Sequence, residues 1–332
     1  MVDKLKVDSL SSGAGAQQTE QSSQPTIGIV VLNHNGKALT ETCLRSLLAS
    51  PYPHKTIFVV DNASTDGSVA YLKPQFPQVT FLESAENLGV TGGRNCGFRA
   101  ASAQGVDYIL SLDNDARIAP AAINALIDVA TTDPRIGILG PKTYHDDGSG
   151  LLQCVGGRIT FTQNVTAERG TDQPDHGQYD AVEPVDYFPG CAFMARRDVF
   201  EQLNFLDESF YGYGHEDTDF CTRAANLGYR ILYVPQAVMW HGGSSTIGSY
   251  SPCKKYLEAV NSMYYVRKYA NTRQWLKYLL YAVVGLLPAF LIQARYGNQK
   301  AVLAKAKGLW DGLHKPMRSS SVYHSSQKAT SS

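Results

Sequence analysis

The first half of the chain alternates between short apolar runs and longer stretches with helical spacing. Four apolar runs have the continuous hydrophobic character of strands buried on both faces: TIGIVVLN (26–33), TIFVVD (56–61), VTFLES (79–84) and YILSLD (108–113). Helical stretches follow them at about 40–49, up to about 76, at 91–104 and at 120–131. This alternation predicts an α/β fold with a mainly parallel sheet that is flanked by helices.

The second half of the chain has a different pattern. From about 136 to 189, short strands, glycines and polar loops replace the long helices. A short helix is predicted at Arg197–Leu203, and EDTDFCTRAANLG predicts another that stops at Gly228. YRILYVP (229–235) predicts a further strand, and the chain after Tyr256 reads as helical to about His314.

Composition and charge divide the chain into three regions. Residues 1–24 are rich in Ser, Gln, Gly and Ala and are predicted to be disordered, whereas 25–255 form the α/β domain. Residues 256–332 are predicted to form a helical, basic and membrane-associating region that ends in a disordered segment. The formal net charge is zero, but from Val260 onward there are eleven Lys or Arg and one acid, Asp311. A basic tail with aromatic residues is typical of proteins that bind either nucleic acid or an anionic membrane surface.

An uncharged segment, YLLYAVVGLLPAFLI (278–292), lies within this basic region. It is shorter than the roughly 20 residues that a spanning helix needs. Three interpretations stay open: a helix lying in the membrane surface, a short or re-entrant membrane helix, and a buried or dimer-forming helix. We favour surface attachment, because basic and aromatic residues flank the segment.

The cysteines and the start of the chain bear on the compartment. The six cysteines form no C-x-x-C pair, which argues against a zinc knuckle, and the start has no signal-peptide pattern. We therefore expect a protein of a reducing compartment.

Two aspartates follow the fourth apolar run in the sequence LDNDA. On an extended strand end Asp113 and Asp115 point the same way, roughly 6–7 Å apart, and could hold one Mg²⁺ or Mn²⁺ ion. The alternative is a turn or a helix N-cap before Pro120. In a parallel sheet, ligands bind beyond the carboxyl ends of strands, which favours the metal site.

Other polar residues occupy similar places. Asp61 ends the second run and could accept hydrogen bonds from a base or ribose, or could cap the following helix. NLGVTGGRNCGF (87–98) leads into a helix whose free N–H groups attract phosphate. Arg94, expected in the first turn of that helix, is a diphosphate or carboxylate partner, or a surface arginine.

The densest cluster of acids lies in FYGYGHEDTDFCTRAANLGY (210–229). Glu216, Asp217 and Asp219 could complement a helix dipole, or one of them could be a general base beside an aromatic, glycine-rich wall. His241 follows Trp240 after the last strand, and is either structural or a third ligand of the cation at Asp113 and Asp115.

Taken in order, these segments resemble a known enzyme family. IVVLNHNG, VVDNASTDGS, NLGVTGGRNCGF, LSLDNDA, PGCAFMARRDVF and FYGYGHEDTDF are similar to the segments of family-2 inverting glycosyltransferases with the GT-A fold, and most similar to the bacterial rhamnosyltransferase-like branch. The resemblance covers about 26–245, so it excludes the N-terminal segment and the C-terminal helices.

The resemblance implies a role for each candidate residue. Asp113 and Asp115 hold Mn²⁺ or Mg²⁺ against the sugar-nucleotide diphosphate, with His241 as a possible further ligand. The acid that reads base and ribose is Asp61, with Asn33 beside the nucleotide; Asn87 and Arg94 belong to the same donor site. Asp217 is the general base and Glu216 its neighbour, in contact with acceptor or donor sugar.

The implied activity is metal-dependent, inverting transfer of a sugar from a nucleotide-diphosphate donor to a hydroxyl of a saccharide or a polyprenyl-diphosphate-linked saccharide. dTDP-rhamnose is the favoured donor, followed by a UDP-hexose. We expect a role in cell-surface polysaccharide synthesis, at the inner face of the cell membrane as a cytoplasmic, peripheral protein. Homo-oligomers through the C-terminal helices are a further possibility.

Three rival interpretations fit less well. A sugar-1-phosphate nucleotidyltransferase should have a glycine-rich, basic loop directly after the first strand, where this chain reads NHNGKALTE. A non-catalytic membrane-bound saccharide-binding scaffold would not need Asp113, Asp115 and Asp217 intact. A nucleic-acid partner is not expected, because the uncharged run at 278–292 does not suit a surface that follows phosphates.

Overall fold

A computed structural model of the chain describes residues 24–162, 164–243 and 251–316. Nearly all of the N-terminal segment and the end of the chain, for which we predict disorder, lie outside these residues.

The core of the structure is an eleven-stranded sheet with a mostly parallel centre. Its strands are β1 (Ile27–Asn33), β2 (Lys55–Asp61), β3 (Thr80–Glu83), β4 (Tyr108–Asp113), β5 (Ala116–Ile118), β6 (Ile136–His145), β7 (Leu151–Cys154), β10 (Gln173–Pro174), β11 (Glu183–Pro184), β12 (Ala192–Arg196) and β13 (Arg230–His241). The main path runs β10-β7-β6-β12-β4-β1-β2-β3, and β13 pairs with β6, β5 and β11. A separate two-stranded sheet contains β8 (Gly157–Ile159) and β9 (Thr166–Glu168).

The described helices number ten. They are α1 (Lys37–Leu48), α2 (Ser68–Leu72), α3 (Gly89–Ala103), α4 (Ala122–Ala130), α5 (Arg197–Gln202), α6 (Glu216–Asn226), α7 (Pro252–Tyr269), α8 (Thr272–Val284), α9 (Leu286–Ala294) and α10 (Gln299–His314). The four predicted strands of the first half agree with β1 to β4 within one residue. The second helix ends at Leu72 rather than near 76, and α3 begins at Gly89, so Arg94 lies in its second turn and not in the first.

Both faces of the sheet are buried, as the continuous apolar runs predict. Alternate residues of β1 enter separate cores: Ile29 and Val31 pack with α1 and α4, whereas Val30 packs with α3. The close approach of α3 requires glycine at 97, because a Cβ there would collide with Val30. The sheet and α3 therefore form one rigid unit that fixes the strand ends.

In the second half, one strand was not predicted and another is longer than predicted. The antiparallel strand β12 inserts between β4 and β6. The strand expected at 229–235 continues through Pro235 to His241, because a register shift between Val234 and Val238 lets the chain pass the proline and resume pairing. This extension pairs His241 with Ala116 of β5 and so brings the histidine beside Asp115.

The C-terminal helices begin inside the α/β domain. Helix α7 starts at Pro252, so the domain boundary expected at 255 falls within it. It packs against Phe161, Val165 and Phe210 in a third hydrophobic cluster. Helix α10 lies close along α7, since Gly308 sits against Tyr256 and Ala259.

Candidate active site

Polar residues from three neighbouring strands meet at one edge of the sheet. Asn33 and Asp61 are direct partners in the β1–β2 register, and Asp113 pairs with Leu32 across β1 and β4. The carboxyl ends of the parallel strands therefore place these side chains side by side.

Asn33, Asp61 and Asn87 belong to one hydrogen-bonded network on the β1–β2 side. The Asn33 amide donates to the Asp61 carboxylate at 2.8 Å, and the Ser64 backbone N–H donates to its other oxygen at 3.0 Å. Asn62 joins Asn87 to this pair, because its side chain donates to the Asn87 side-chain oxygen at 3.0 Å and its backbone N–H donates to the Asn33 carbonyl oxygen at 2.8 Å. The network is buried around Asp61 and holds the loops that follow β1, β2 and β3 in fixed relation.

Asp113, Asp115 and His241 form a candidate metal centre. One ligand atom from each of the three residues can be chosen so that all lie within 4.8 Å of one another. His241 Nε2 is 3.1 Å from an Asp115 oxygen and 3.8 Å from Asp113 Oδ2. Two carboxylates and an imidazole suit a divalent cation, and the nitrogen donor favours Mn²⁺ over Mg²⁺.

Gln153 on β7 orients the histidine of this centre. His241 Nδ1 lies 2.7 Å from Gln153 Oε1, and the Gln153 amide nitrogen lies 3.3 Å from the His241 carbonyl oxygen. The side-chain oxygen therefore accepts from Nδ1–H, so that neutral His241 can offer the lone pair of Nε2 to a cation at the aspartates, whereas protonated His241 donates from Nε2 to Asp115. Burial alone would lower the pKa of His241, but the hydrogen bond to Asp115 and the charges of both aspartates raise it.

Arg94 connects the metal centre to a second pair of acids. Its guanidinium is 4% exposed and donates to Asp113 Oδ1 at 2.5 Å and to Glu216 Oε1 at 3.1 Å. Burial opposes its charge, yet these carboxylates raise the pKa of Arg94 above its ordinary value. Gly190 leaves room for the guanidinium, which any Cβ at that position would strike. Arg94 is thus a carboxylate partner, one of the roles expected for it.

Glu216 and Asp217 begin helix α6 directly after His215, whose φ of +72° turns the chain into the helix. Asp217 accepts hydrogen bonds from the backbone N–H groups of Gly190 at 2.6 Å and Thr218 at 2.5 Å. Burial and the neighbouring Asp217 raise the pKa of Glu216 to about 7, and burial also raises the pKa of Asp217. This pair can therefore hold or release a proton near neutral pH.

The third acid of the cluster, Asp219, faces away from this site. Its side chain is fully buried and accepts hydrogen bonds from Arg223, Lys268 and Tyr269 at 2.6–2.7 Å. It therefore joins α6 to α7.

One cleft of about 940 Å³ joins most of these groups. Arg94, Asp113, Glu216, Asp217 and His241 line it, whereas Asn33, Asp61, Asn87 and Asp115 do not. Among the lining residues that the sequence analysis did not single out are Gln153, Glu168 and Lys254. The first two belong to short strands in the irregular segment, where no periodicity or motif points to them.

The fold is that of GT-A glycosyltransferases. The structure is similar to that of GalNAc-T7 with UDP, GalNAc and Mn²⁺, with a TM-score of 0.57, 17% identity, and coverage of 76% of this chain and 54% of that one. It is also similar to the mannosyltransferase PcManGT from Pyrobaculum calidifontis in complex with GDP-Man and Mn²⁺, with a TM-score of 0.54, 19% identity, and coverage of 93% and 81%.

The family follows from the sequence comparisons. The profile of glycosyl transferase family 2 matches residues 28–203, and the chain belongs to this family. A second profile, the N-terminal domain of galactosyltransferase, matches residues 177–242. The protein is therefore a glycosyltransferase, which confirms the fold class and the family that the motifs indicate.

Two curated relatives define its type more closely. An N-acetylglucosaminyl-diphospho-decaprenol L-rhamnosyltransferase of Mycobacterium tuberculosis (strain H37Rv) is 27% identical over 66% of this chain and 77% of its own length. The dTDP-rhamnosyl transferase RfbF of Shigella flexneri is 24% identical over 76% of this chain and 86% of its own length. This family-2 glycosyltransferase is thus similar to two relatives that are named as rhamnosyl transferases.

Proposed function

We propose that this enzyme transfers L-rhamnose from dTDP-rhamnose, with inversion and with the help of a divalent cation, to a hydroxyl of a lipid-linked saccharide. A UDP-hexose is the second candidate donor. The observation that carries the proposal is one cleft at which the candidate cation centre meets, across Arg94, a buried pair of carboxylates whose pKa values are raised. The names of the two relatives support the rhamnosyl donor and the diphospho-lipid acceptor.

Asp113, Asp115 and His241 would hold Mn²⁺ or Mg²⁺. A cation there supplies positive charge that stabilises the departing nucleotide diphosphate. The two oxygens of the Asp113 carboxylate have different partners: Oδ1 accepts a hydrogen bond from Arg94, and Oδ2 faces His241. Arg94 thereby orients Asp113 toward the centre and holds Glu216 in the same cleft.

Asp217 is the general base of the proposed mechanism. The backbone N–H groups of Gly190 and Thr218 fix its carboxylate, and Asp217 accepts the proton of the acceptor hydroxyl as that oxygen attacks the anomeric carbon. Attack from the face opposite the leaving group inverts the configuration. The carboxyl group of Glu216, held by Arg94, contacts the acceptor or the donor sugar.

The nucleotide would lie over the neighbouring strand ends. Asp61 would accept hydrogen bonds from base or ribose, with Asn33 and Asn87 holding the surrounding loops. The expected contact of Asn33 with nucleotide is indirect in this scheme, because Asp61, Ser64, Thr40 and Asn114 already engage its side chain.

Helices α8 and α9 would attach the enzyme to an anionic membrane surface, at the cytoplasmic face. Together they form one apolar stretch, Thr272–Ala294, which by length and composition alone is long enough to cross a membrane and is mostly unburied. We define the apolar face by its exposed large side chains: Leu276, Leu280, Val283, Val284, Leu287 and Leu291. Basic residues flank it, which suits anionic lipid headgroups.

Binding and transfer test the proposal together. We expect dTDP-rhamnose with Mn²⁺ to raise the midpoint of thermal unfolding, and Asp115→Asn to remove most of this increase. Asp172→Asn is the matched control, because Asp172 lines the cleft but pairs with His145 outside the cation centre. Product analysis by NMR should show the inverted anomer on a lipid-linked saccharide. Donor binding without transfer to any saccharide would favour a saccharide-binding scaffold instead.

A further inference from the structure

A second pocket of about 290 Å³ adjoins the active-site cleft. Its polar lining includes Lys255 of α7, Lys305 of α10 and Asn164, and its apolar lining includes Ala289, Ile292 and Val302. Lys255 and Asn164 also line the cleft that contains Asp217. The pocket is therefore a side chamber of the active site, built by the C-terminal helices.

The polar part of this chamber has an excess of positive charge. Lys255 Nζ pairs with Glu258 at 2.8 Å, and Lys305 Nζ lies 3.5 Å from the Asn164 side-chain oxygen. Burial and the nearby charge of Lys255 lower the pKa of Lys305, while burial lowers the pKa of Lys254 on the cleft side. Two ammonium groups that repel each other across a partly buried pocket, only one of which is paired with a carboxylate of Glu258, favour an anionic ligand.

The apolar part of the chamber leads to the apolar face of α8 and α9. Ile292 lines the pocket and is itself 53% exposed, and Leu291 beside it belongs to the apolar face. A ligand with an anionic group joined to a long apolar chain would suit both the polar and the apolar part of the chamber. Its chain could leave the pocket along the apolar surface of α9 without entering water.

We propose that Lys255 and Lys305 bind the phosphate or diphosphate group of an isoprenoid-linked acceptor, whose sugar enters the cleft at Asp217 and whose chain follows α9. This assignment rests on the proposed transfer to a lipid-linked saccharide and names the residues that would select such an acceptor. An anionic phospholipid headgroup presents the same phosphate chemistry, and the experiment separates the two sources.

Equilibrium binding of farnesyl diphosphate to the full chain tests the pocket directly. The titration contains EDTA, so that no divalent cation recruits the diphosphate to Asp113, Asp115 and His241. We expect Lys255→Gln and Lys305→Gln each to weaken binding about tenfold, as for loss of a charged hydrogen bond. Lys300→Gln, an exposed position on the same helix, is the matched control and should leave the affinity unchanged.

Two comparisons define the ligand. Farnesol and inorganic pyrophosphate should each bind more weakly than farnesyl diphosphate, since farnesol supplies only the apolar chain and pyrophosphate only the anionic group. Lys305→Arg keeps the charge and should retain binding, which distinguishes a charge contact from a folding defect. Equal affinity of the wild type and both Gln variants for farnesyl diphosphate would overturn the proposal. Competition by phosphatidylglycerol vesicles as strong as that by farnesyl diphosphate would also overturn it, in favour of a headgroup site.

Sugar transfer separates this proposal from the proposed function. With a diphospho-lipid-linked acceptor the Gln variants should raise KM and leave kcat nearly unchanged, and transfer to a neutral alkyl glycoside of the same sugar should be unaffected. If the wild type transfers no sugar while lysine-dependent binding persists, the proposed function fails and the anion site stands. If transfer occurs but both acceptors respond equally to the variants, the anion site fails alone.

Discussion

At the scale of single residues, the proposed chemistry depends on a carboxylate that is held in place without an ion pair of its own among the residues that the structure describes. Backbone N–H groups fix Asp217, while the Arg94 guanidinium contacts its neighbour Glu216. We expect Asp217→Asn to lower kcat by about 10²–10⁴-fold, because the amide cannot accept the proton. Donor affinity, measured by calorimetry, should survive. Asp172→Asn in the same cleft should keep near-native turnover, and equal turnover of the two variants would contradict the assignment of the base.

The pH profile gives a second prediction at this scale. Because burial raises the pKa values of both Asp217 and Glu216, the base becomes protonated at a higher pH than an exposed aspartate would. With saturating donor and Mn²⁺, kcat/KM for the acceptor should therefore begin to fall at a higher pH than it would with an exposed aspartate as the base, and the apparent pKa of this fall belongs to the pair. In Glu216→Gln one negative charge is lost, so the acid limb should move to lower pH. An unshifted limb would show that the two carboxyl groups do not titrate together.

Residue types at strand ends were predictable from the sequence, but their mutual contacts were not. Asp113, Asp115, His241, Glu216 and Asp217 follow apolar runs or begin a helix, and such positions can be read from periodicity. The bridging position of Arg94 requires the close packing of α3 on the sheet and the absence of a Cβ at Gly190. The hydrogen bond from His241 to Gln153 joins residues 88 positions apart, and no local pattern encodes it.

At the scale of elements, the strands and helices of the first half could be read from the sequence. In the second half helices α5 and α6 could be read too, but the short strands and the end of β13 could not. The first half repeats one unit, in which both faces of each strand are buried, so apolar runs mark strands clearly. Strand β13 was predicted to end at Pro235, because proline removes a ladder hydrogen bond. The register shift at Val234–Val238 absorbs that loss, and only the pairing with β5 and β6 shows that the strand continues to His241.

The junction of α6 and α7 yields a prediction about stability. Asp219 of α6 is buried and binds Lys268 and Tyr269 of α7. We expect Asp219→Ala to lower the free energy of unfolding by about 3 kcal/mol, because the variant leaves Arg223 and Lys268 without their buried partner. Chemical denaturation followed by circular dichroism measures the change.

A matched variant tests whether the burial of Asp219 determines how much stability its loss removes. Asp207 also accepts from Lys268, at 2.8 Å, but it is partly exposed. Asp207→Ala should therefore lower the free energy of unfolding by only about 1 kcal/mol. Similar losses for the two variants would mean that α7 is not held to the catalytic domain through the buried carboxylate.

At the scale of the whole molecule, the excess of basic residues and the exposed apolar surface both belong to the C-terminal part of the chain. Residues up to Ala259 carry 19 Lys or Arg against 29 acids, whereas the rest of the chain carries eleven against one. The exposed large hydrophobic side chains are concentrated in this basic part, on α8, α9 and α10. An acidic catalytic body would be repelled by an anionic bilayer while the basic helices are attracted, so the molecule should bind in one orientation.

The apolar face therefore gives a prediction for the intact protein. Replacing Leu280, Leu287 and Leu291 together by Glu should abolish co-sedimentation with phosphatidylglycerol vesicles, because each exposed leucine would lose roughly 1.5–3 kcal/mol of burial and each glutamate is repelled by the surface. Leu227→Glu is the matched control, since Leu227 is also exposed but follows α6 on the catalytic body. Catalytic turnover on a soluble acceptor should not change. Undiminished vesicle binding would disprove surface attachment through this face, and a smaller particle mass without lipid would instead assign the face to contacts between copies of the chain.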